Sequence, residues 1–182
     1  REDHETAAAA YLSASRVLDR WGPVHLAVRL GRSVLALPGL AGDLLTDVTL
    51  ALARALDRAG HSDEARRLLD DAMTTSDPAR QSAVFLMIAK IQFDQGDIEA
   101  ARATCLEALD RAEGGSSEEL RGRALWSLGR TYYVVGDYDE AGIHHEAALE
   151  AYSSCDDPRL AASVQGSLAA IDVEQGRYAQ GR

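Results

Sequence analysis

The chain has 182 residues, enough to bury a sizeable core, and its 29 acidic and 19 basic side chains give a formal net charge of −10 at pH 7. That acidity argues against a nucleic-acid-binding face, which needs a basic excess, and no apolar run approaches the roughly 20 residues that cross a bilayer. Cys105 and Cys155 stand apart without motif spacing, which fits free thiols in a reducing, cytoplasmic setting. Lysine occurs once, at Lys90, and with abundant Ala, Leu, Asp and Gly this points to a GC-rich bacterial genome, thermophily being the alternative cause of the skew. The chain has no initiator Met and no basic, apolar leader. It stops a few residues after its last repeated glycine, so a piece of a longer protein is expected.

In chain order, residues from about Glu5 to Trp21 predict an alanine-rich helix, and Pro23 to Leu37 a second. Pro38, Gly39 and Gly42 then break the chain. Residues 1–42 read as a helical cap or diverged repeat, since terminal repeats are atypical; the tail of a preceding helical domain is the alternative.

Residues 43–182 repeat one pattern. Gly60, Gly96, Gly136 and Gly176 lie 36, 40 and 40 residues apart, and each ends one apolar helical stretch and opens another. The units run over about 43–76, 77–115, 116–156 and a truncated 157–182. Unit one places Leu52, Ala53, Leu56, Ala65, Leu69 and Ala72 at the three-and-four spacing of amphipathic helices. Unit two does so with Phe85, Ile88, Ala89, Ile98, Ala101, Cys105 and Ala108. Unit three uses Leu125, Leu128, Gly129 and Tyr132 before its break and Tyr138, Ala141, His145 and Ala148 after it. Unit four begins the scheme with Leu168, Ala169, Gly176 and Tyr178.

Each glycine sits where a left-handed cap is needed. Asp137 is a natural N-cap for the following helix, with Glu140 completing a capping-box-like pair. Asp77–Pro78 and Asp157–Pro158 place proline in a first turn, where its missing N–H costs nothing. Ala53, Ala89, Gly129 and Ala169 recur in register with Ala65, Ala101 and Ala141, which predicts helix axes about 8–10 Å apart. The expected fold is all-α: a right-handed α-solenoid of antiparallel helix pairs.

Reactive chemistry is not expected. His144 and His145 are adjacent, so they point about 100° apart on a helix and do not share a metal site; no HExxH spacing accompanies them. A packed His145 and a solvated His144 are the ordinary expectation. No phosphate loop follows a strand, no GxSxG elbow is present, and Cys105 falls at a packing position. No catalytic residue, metal or cofactor is assigned, and the chain is read as not an enzyme.

The series Leu125, Leu128, Gly129, Tyr132, Gly136, Tyr138, Ala141, His145 and Ala148 closely resembles the tetratricopeptide repeat, with His145 standing where an aromatic is expected. Units one and two keep the small and apolar positions but lose the aromatic ones. The 40-residue spacing exceeds the family's basic 34 and is similar to arrays in large bacterial signalling and transcription regulators. The resemblance implies that the first helix of each unit lines a concave groove. The implied partner-binding residues are Leu50 and Arg54 in unit one, Leu86, Lys90 and Phe93 in unit two, and Arg123, Trp126, Arg130 and Tyr133 in unit three.

Arg54, Lys90 and Arg130 would then form a basic ladder flanked by aromatics, suited to an acidic or C-terminal peptide. Leu50 and Arg54 stand where chaperone-binding members carry a Lys and Asn clamp, so that clamp is absent. The implied function is a protein- or peptide-binding module, the sensor or regulatory arm of a larger bacterial regulator. A structural scaffold or self-association module is the alternative. Partners would be a protein or peptide, a second copy or an attached effector domain, with neither nucleic acid nor membrane.

Overall fold

The computed structural model describes residues 2–73, 77–115, 117–155 and 158–176. Among these it forms nine helices and no strand. They are α1 (Glu2–Trp21), α2 (Val24–Leu35), α3 (Gly42–Arg58), α4 (Ser62–Ala72), α5 (Pro78–Asp94), α6 (Ile98–Gly114), α7 (Glu118–Val134), α8 (Tyr138–Ser153) and α9 (Pro158–Glu174). The second helix ends two residues earlier than the sequence suggests. The helix expected to begin near Tyr178, and the cap expected at Asp157, lie outside the described residues.

The repeated Gly–Asp turns explain why the chain doubles back so tightly. After α5, Gly96 adopts φ 83°, a left-handed value that glycine reaches without steric cost. Its N–H donates to the Phe93 carbonyl at 3.0 Å, and the Asp97 N–H donates to the Gln92 carbonyl at 2.9 Å. These are the two bonds of a Schellman termination. The Asp97 carboxylate then accepts from the Ala100 N–H at 3.2 Å, capping α6. One aspartate thus closes one helix and opens the next. The turn after α7 repeats this, with Gly136 at φ 85° and the Asp137 carboxylate accepting from the Glu140 N–H at 3.4 Å. After α3 the backbone bonds recur, but His61 at the cap of α4 makes no side-chain bond.

Packing makes two layers. Odd-numbered helices touch in series, α1 on α3, α3 on α5 and α5 on α7, while each also packs on its even-numbered partner. Among the described residues, no comparably packed pair joins α4 to α6 or α6 to α8. An inner layer in contact and an outer layer spread apart bend the stack, so the odd-numbered helices line the concave side.

Leu52, Leu56, Leu69 and Ile91 are essentially sealed between the layers, each contributing about 1.5–3 kcal/mol by burial. Ala53, Ala65, Ala89, Ala101 and Ala141 are also buried and keep the helices close. Gly129 goes further: a Cβ there would lie 2.6 Å from the His145 ring, so only glycine lets α8 approach α7 at that point. Ala169, expected in the same register, is exposed on α9, whose described packing partner is α8.

Candidate functional site

The inner layer holds all nine residues that the resemblance implies for a groove, but not in equivalent settings. Leu50 and Leu86 are only 5% exposed each and give most of their surface to packing between helices, although Leu50 keeps an edge on a recess. Position on the inner helix does not by itself bring a whole side chain to solvent, so at most an edge of either leucine is open to a partner.

The basic ladder is also uneven. The Lys90 ammonium donates to Asp57 and Asp94, each at 2.6 Å, and the Asp57 side chain is 6% exposed. Burial works against the Lys90 charge, but these two carboxylates outweigh it and raise its pKa. Lys90 is therefore a neutralised brace between α3 and α5, not a free cation.

Arg54 is half-buried in a recess of about 230 Å³ that Arg16, Asp47 and Leu50 also line. Burial first, and then the charge of Arg123 on α7, lower its pKa, while Asp19, Asp47 and Glu119 oppose them. The charge of Arg123, from a different repeat, is thus felt at Arg54.

Arg130 has a third environment. Its guanidinium lies 4.4 Å from the centre of the Phe93 ring and 5.7 Å from that of Trp126, and among the described residues it makes no ion pair. Cation–π contacts of this kind contribute about 0.5–2 kcal/mol. The Trp126 indole N–H donates to the Ser167 hydroxyl at 3.0 Å, tying α7 to α9. The half-buried Tyr133 rests against the Tyr138 ring at 5.5 Å, with Glu174 of α9 nearby. Burial first, with Glu174 and Tyr138 adding to it, raises the pKa of the Tyr133 hydroxyl.

These groups converge on a cavity of about 210 Å³ lined by Trp126, Arg130, Tyr133, His145, Ser167 and Ala170. His145 is 1% exposed, and its Nδ1 is buried without a hydrogen-bond partner. An orphaned buried nitrogen costs about 1–3 kcal/mol. Burial, with the nearby His144 and Arg130, holds the ring neutral with a pKa lowered to about 4. His144 is not simply solvated as expected: it is half-buried and stacks on Tyr132 at 5.2 Å. The Arg102 guanidinium lies 4.3 Å over the same Tyr132 ring.

Ser167 and the cavity-lining role of His145 were not legible in the sequence, because they depend on where α8 and α9 meet α7. The same holds for Arg80, which binds Asp43, Asp47 and Asp77 at once and so clamps α3 to α5. Cys105 is buried, and desolvation raises its thiol pKa to about 12, leaving it unreactive. Among the described residues no three His, Cys, Asp or Glu side chains gather to hold a metal ion, and no helix is long and apolar enough to cross a membrane.

A family model described as tetratricopeptide repeat matches residues 81–154, and a second, described as tetratrico peptide repeat, matches residues 8–113, more than half of the chain. Among solved structures, BtubC (BKLC) from P. vanneervenii superposes with TM-score 0.74 at 21% identity, over 99% of this chain and 86% of that one. The Pseudomonas aeruginosa pilF structure gives 0.74 at 19% identity, over 99% and 74%. The apo form of RapI gives 0.79 at 14% identity, over 96% and 66%. At such identities the likeness is one of fold. No curated protein matches the sequence. The architecture is that of a protein–protein interaction module.

Proposed function

The chain belongs to the tetratricopeptide repeat family, and we propose that its concave face receives a protein or peptide segment of acidic character. In this reading it is the cytoplasmic sensor or regulatory arm of a larger bacterial signalling or transcriptional regulator. Residues 43–182 form the binding array, and residues 1–42 extend it as a diverged repeat or cap. Occupancy of the groove would favour one superhelical pitch and so bias an attached effector.

The observation that carries the groove is Arg130: a cation without an acidic partner, held between Phe93 and Trp126 on the inner layer. Rigid aromatics beside an available arginine are the composition of interface hot spots. Arg54, Arg123 and Tyr133 extend that surface, whereas Lys90 contributes through its brace to Asp57. Support for the regulatory arm is the 40-residue spacing of the glycines, longer than the family's basic 34. Selection of a random phage-displayed peptide library on the immobilised chain tests the proposal. The expected pool is enriched in Asp and Glu and loses about ten-fold or more in affinity to Arg130→Glu. A pool with no acidic bias that binds Arg130→Glu unchanged would sink it.

A second reading, a scaffold or self-association module, draws on the N-terminal end, where Val17 and Trp21 are 63% and 81% exposed on α1. Sedimentation velocity over a concentration series tests it, and a strict monomer at the highest concentration argues against it.

A further inference from the structure

The cavity between α7, α8 and α9 is lined by two side chains able to hydrogen-bond a ligand, Arg130 and His145. Arg130 has its flat faces beside Phe93 and Trp126, and no hydrogen bond within the described residues engages its N–H groups. A guanidinium flanked in this way keeps its edge free, and that edge is the geometry that grips a carboxylate with two parallel bonds. His145 lines the same cavity while almost wholly buried, and its Nδ1 is sealed without a partner. That nitrogen lies against Gly129 on α7, so a ligand in the cavity would have Nε2 as its partner on this ring.

The remaining walls are Trp126, Tyr133 and Ala170, which offer apolar surface, and Ser167, whose oxygen already accepts from Trp126. The cavity measures about 210 Å³, enough for a small ligand group rather than only a single water. A phosphate dianion does not suit it, because one guanidinium would leave half of the charge uncompensated among apolar walls. A monoanion with a compact apolar body does.

We propose that this cavity receives a carboxylate carried on a short apolar stem, with the stem against Trp126, Tyr133 and Ala170 and the oxygens on Arg130 and His145. The inference rests on the groove reading in placing the ligand on a peptide bound along the concave face. The carboxylate can come from an acidic side chain or from the terminus of an apolar residue.

Small probes separate these sources without a known partner. The 182-residue chain is titrated with N-acetyl-leucine, N-acetyl-leucinamide and N-acetyl-glutamic acid α-amide while the Arg130 Nε–H and His145 ring signals are followed by NMR. One or both carboxylates should shift these signals saturably, and the neutral leucinamide should bind about ten-fold or more weakly. A response to N-acetyl-leucine alone assigns the terminus, and a response to the glutamic acid amide alone assigns the side chain. Arg130→Gln should remove the response with the rest of the spectrum unchanged. His145→Phe, which replaces the orphaned nitrogen by carbon, should weaken it while keeping the fold.

Equal binding of the leucinamide, carboxylate binding that survives Arg130→Gln, or no shift by either carboxylate overturns the inference. If the probes fail while selected acidic peptides still depend on Arg130, the cavity assignment falls and the groove stands. If the probes bind and no peptide does, the groove reading falls instead.

Discussion

At the scale of single residues, position in the repeat and chemical state are separate matters. Arg54, Lys90 and Arg130 share one register, yet the first is half-buried in a recess, the second is neutralised by two aspartates and the third stacks on aromatics. Removing Lys90 strands Asp57, which is almost buried and keeps only the Ser62 hydroxyl, at 2.8 Å, as a donor among its side-chain contacts. Lys90→Met is therefore expected to lower unfolding stability by about 1–3 kcal/mol. Arg130→Met, at a site without an ion pair, should cost less. Urea denaturation of both variants checks the order.

His145 makes a pH-dependent contribution whose direction is fixed. Its pKa is about 4 in the fold and about 6.5 in the unfolded chain, so the unfolded state binds more protons between those values. The neutral ring costs the fold nothing in proton binding above pH 6.5; stability then falls as pH drops toward 4 and levels off below it. At about 1.4 kcal/mol per unit the loss is about 3 kcal/mol. The pH dependence of unfolding should flatten by that amount in His145→Phe relative to the parent chain, and parallel curves would show that His145 is not the titrating group.

At the scale of helices and turns, most of the fold was legible, and the reason is local. A glycine that must adopt positive φ followed by an aspartate that must cap the next helix is a constraint written within three residues. Gly96–Asp97 and Gly136–Asp137 satisfy it with the same bonds. Gly136→Ala should cost about 1–2 kcal/mol through the strained left-handed backbone, although open space surrounds its Cα. The first turn lacks the aspartate. Because Asp57, Asp63 and Glu64 already crowd that end of α4, a neutral cap is preferable, and His61→Asn is expected to stabilise by about 0.5–1 kcal/mol. Thermal unfolding of these two variants should move in opposite directions.

What the sequence did not reveal is set by contacts between repeats. Leu50 and Leu86 were legible as inner-helix residues, but their burial depends on how closely α3, α5 and α7 pack. The brace at Lys90 depends on acids contributed both by the preceding repeat and by its own helix. The cavity beside Arg130 needs three helices at once, and no single-helix periodicity encodes the orphaned nitrogen of His145. His144 was misjudged for the same reason, since its stacking partner Tyr132 lies on the neighbouring helix.

At the scale of the whole molecule, an inner layer of contacting helices and an outer layer spread apart produce a concave face in an acidic protein. Lys90 and Arg80 hold adjacent inner helices together through aspartates, while Arg54, Arg123 and Arg130 make no ion pair among the described residues. The concave face thus holds three such arginines in a protein of net charge −10. If the proposed acidic segment binds there, its affinity should rise at low salt, with the advantage screened over about 8 Å at physiological ionic strength. The most direct test maps backbone amide shifts on titrating the chain with a library-selected peptide. The expected shifts fall on α3, α5, α7 and α9 and centre on Arg130; shifts confined to α4, α6 and α8 would place the partner on the outer layer and contradict a concave binding face.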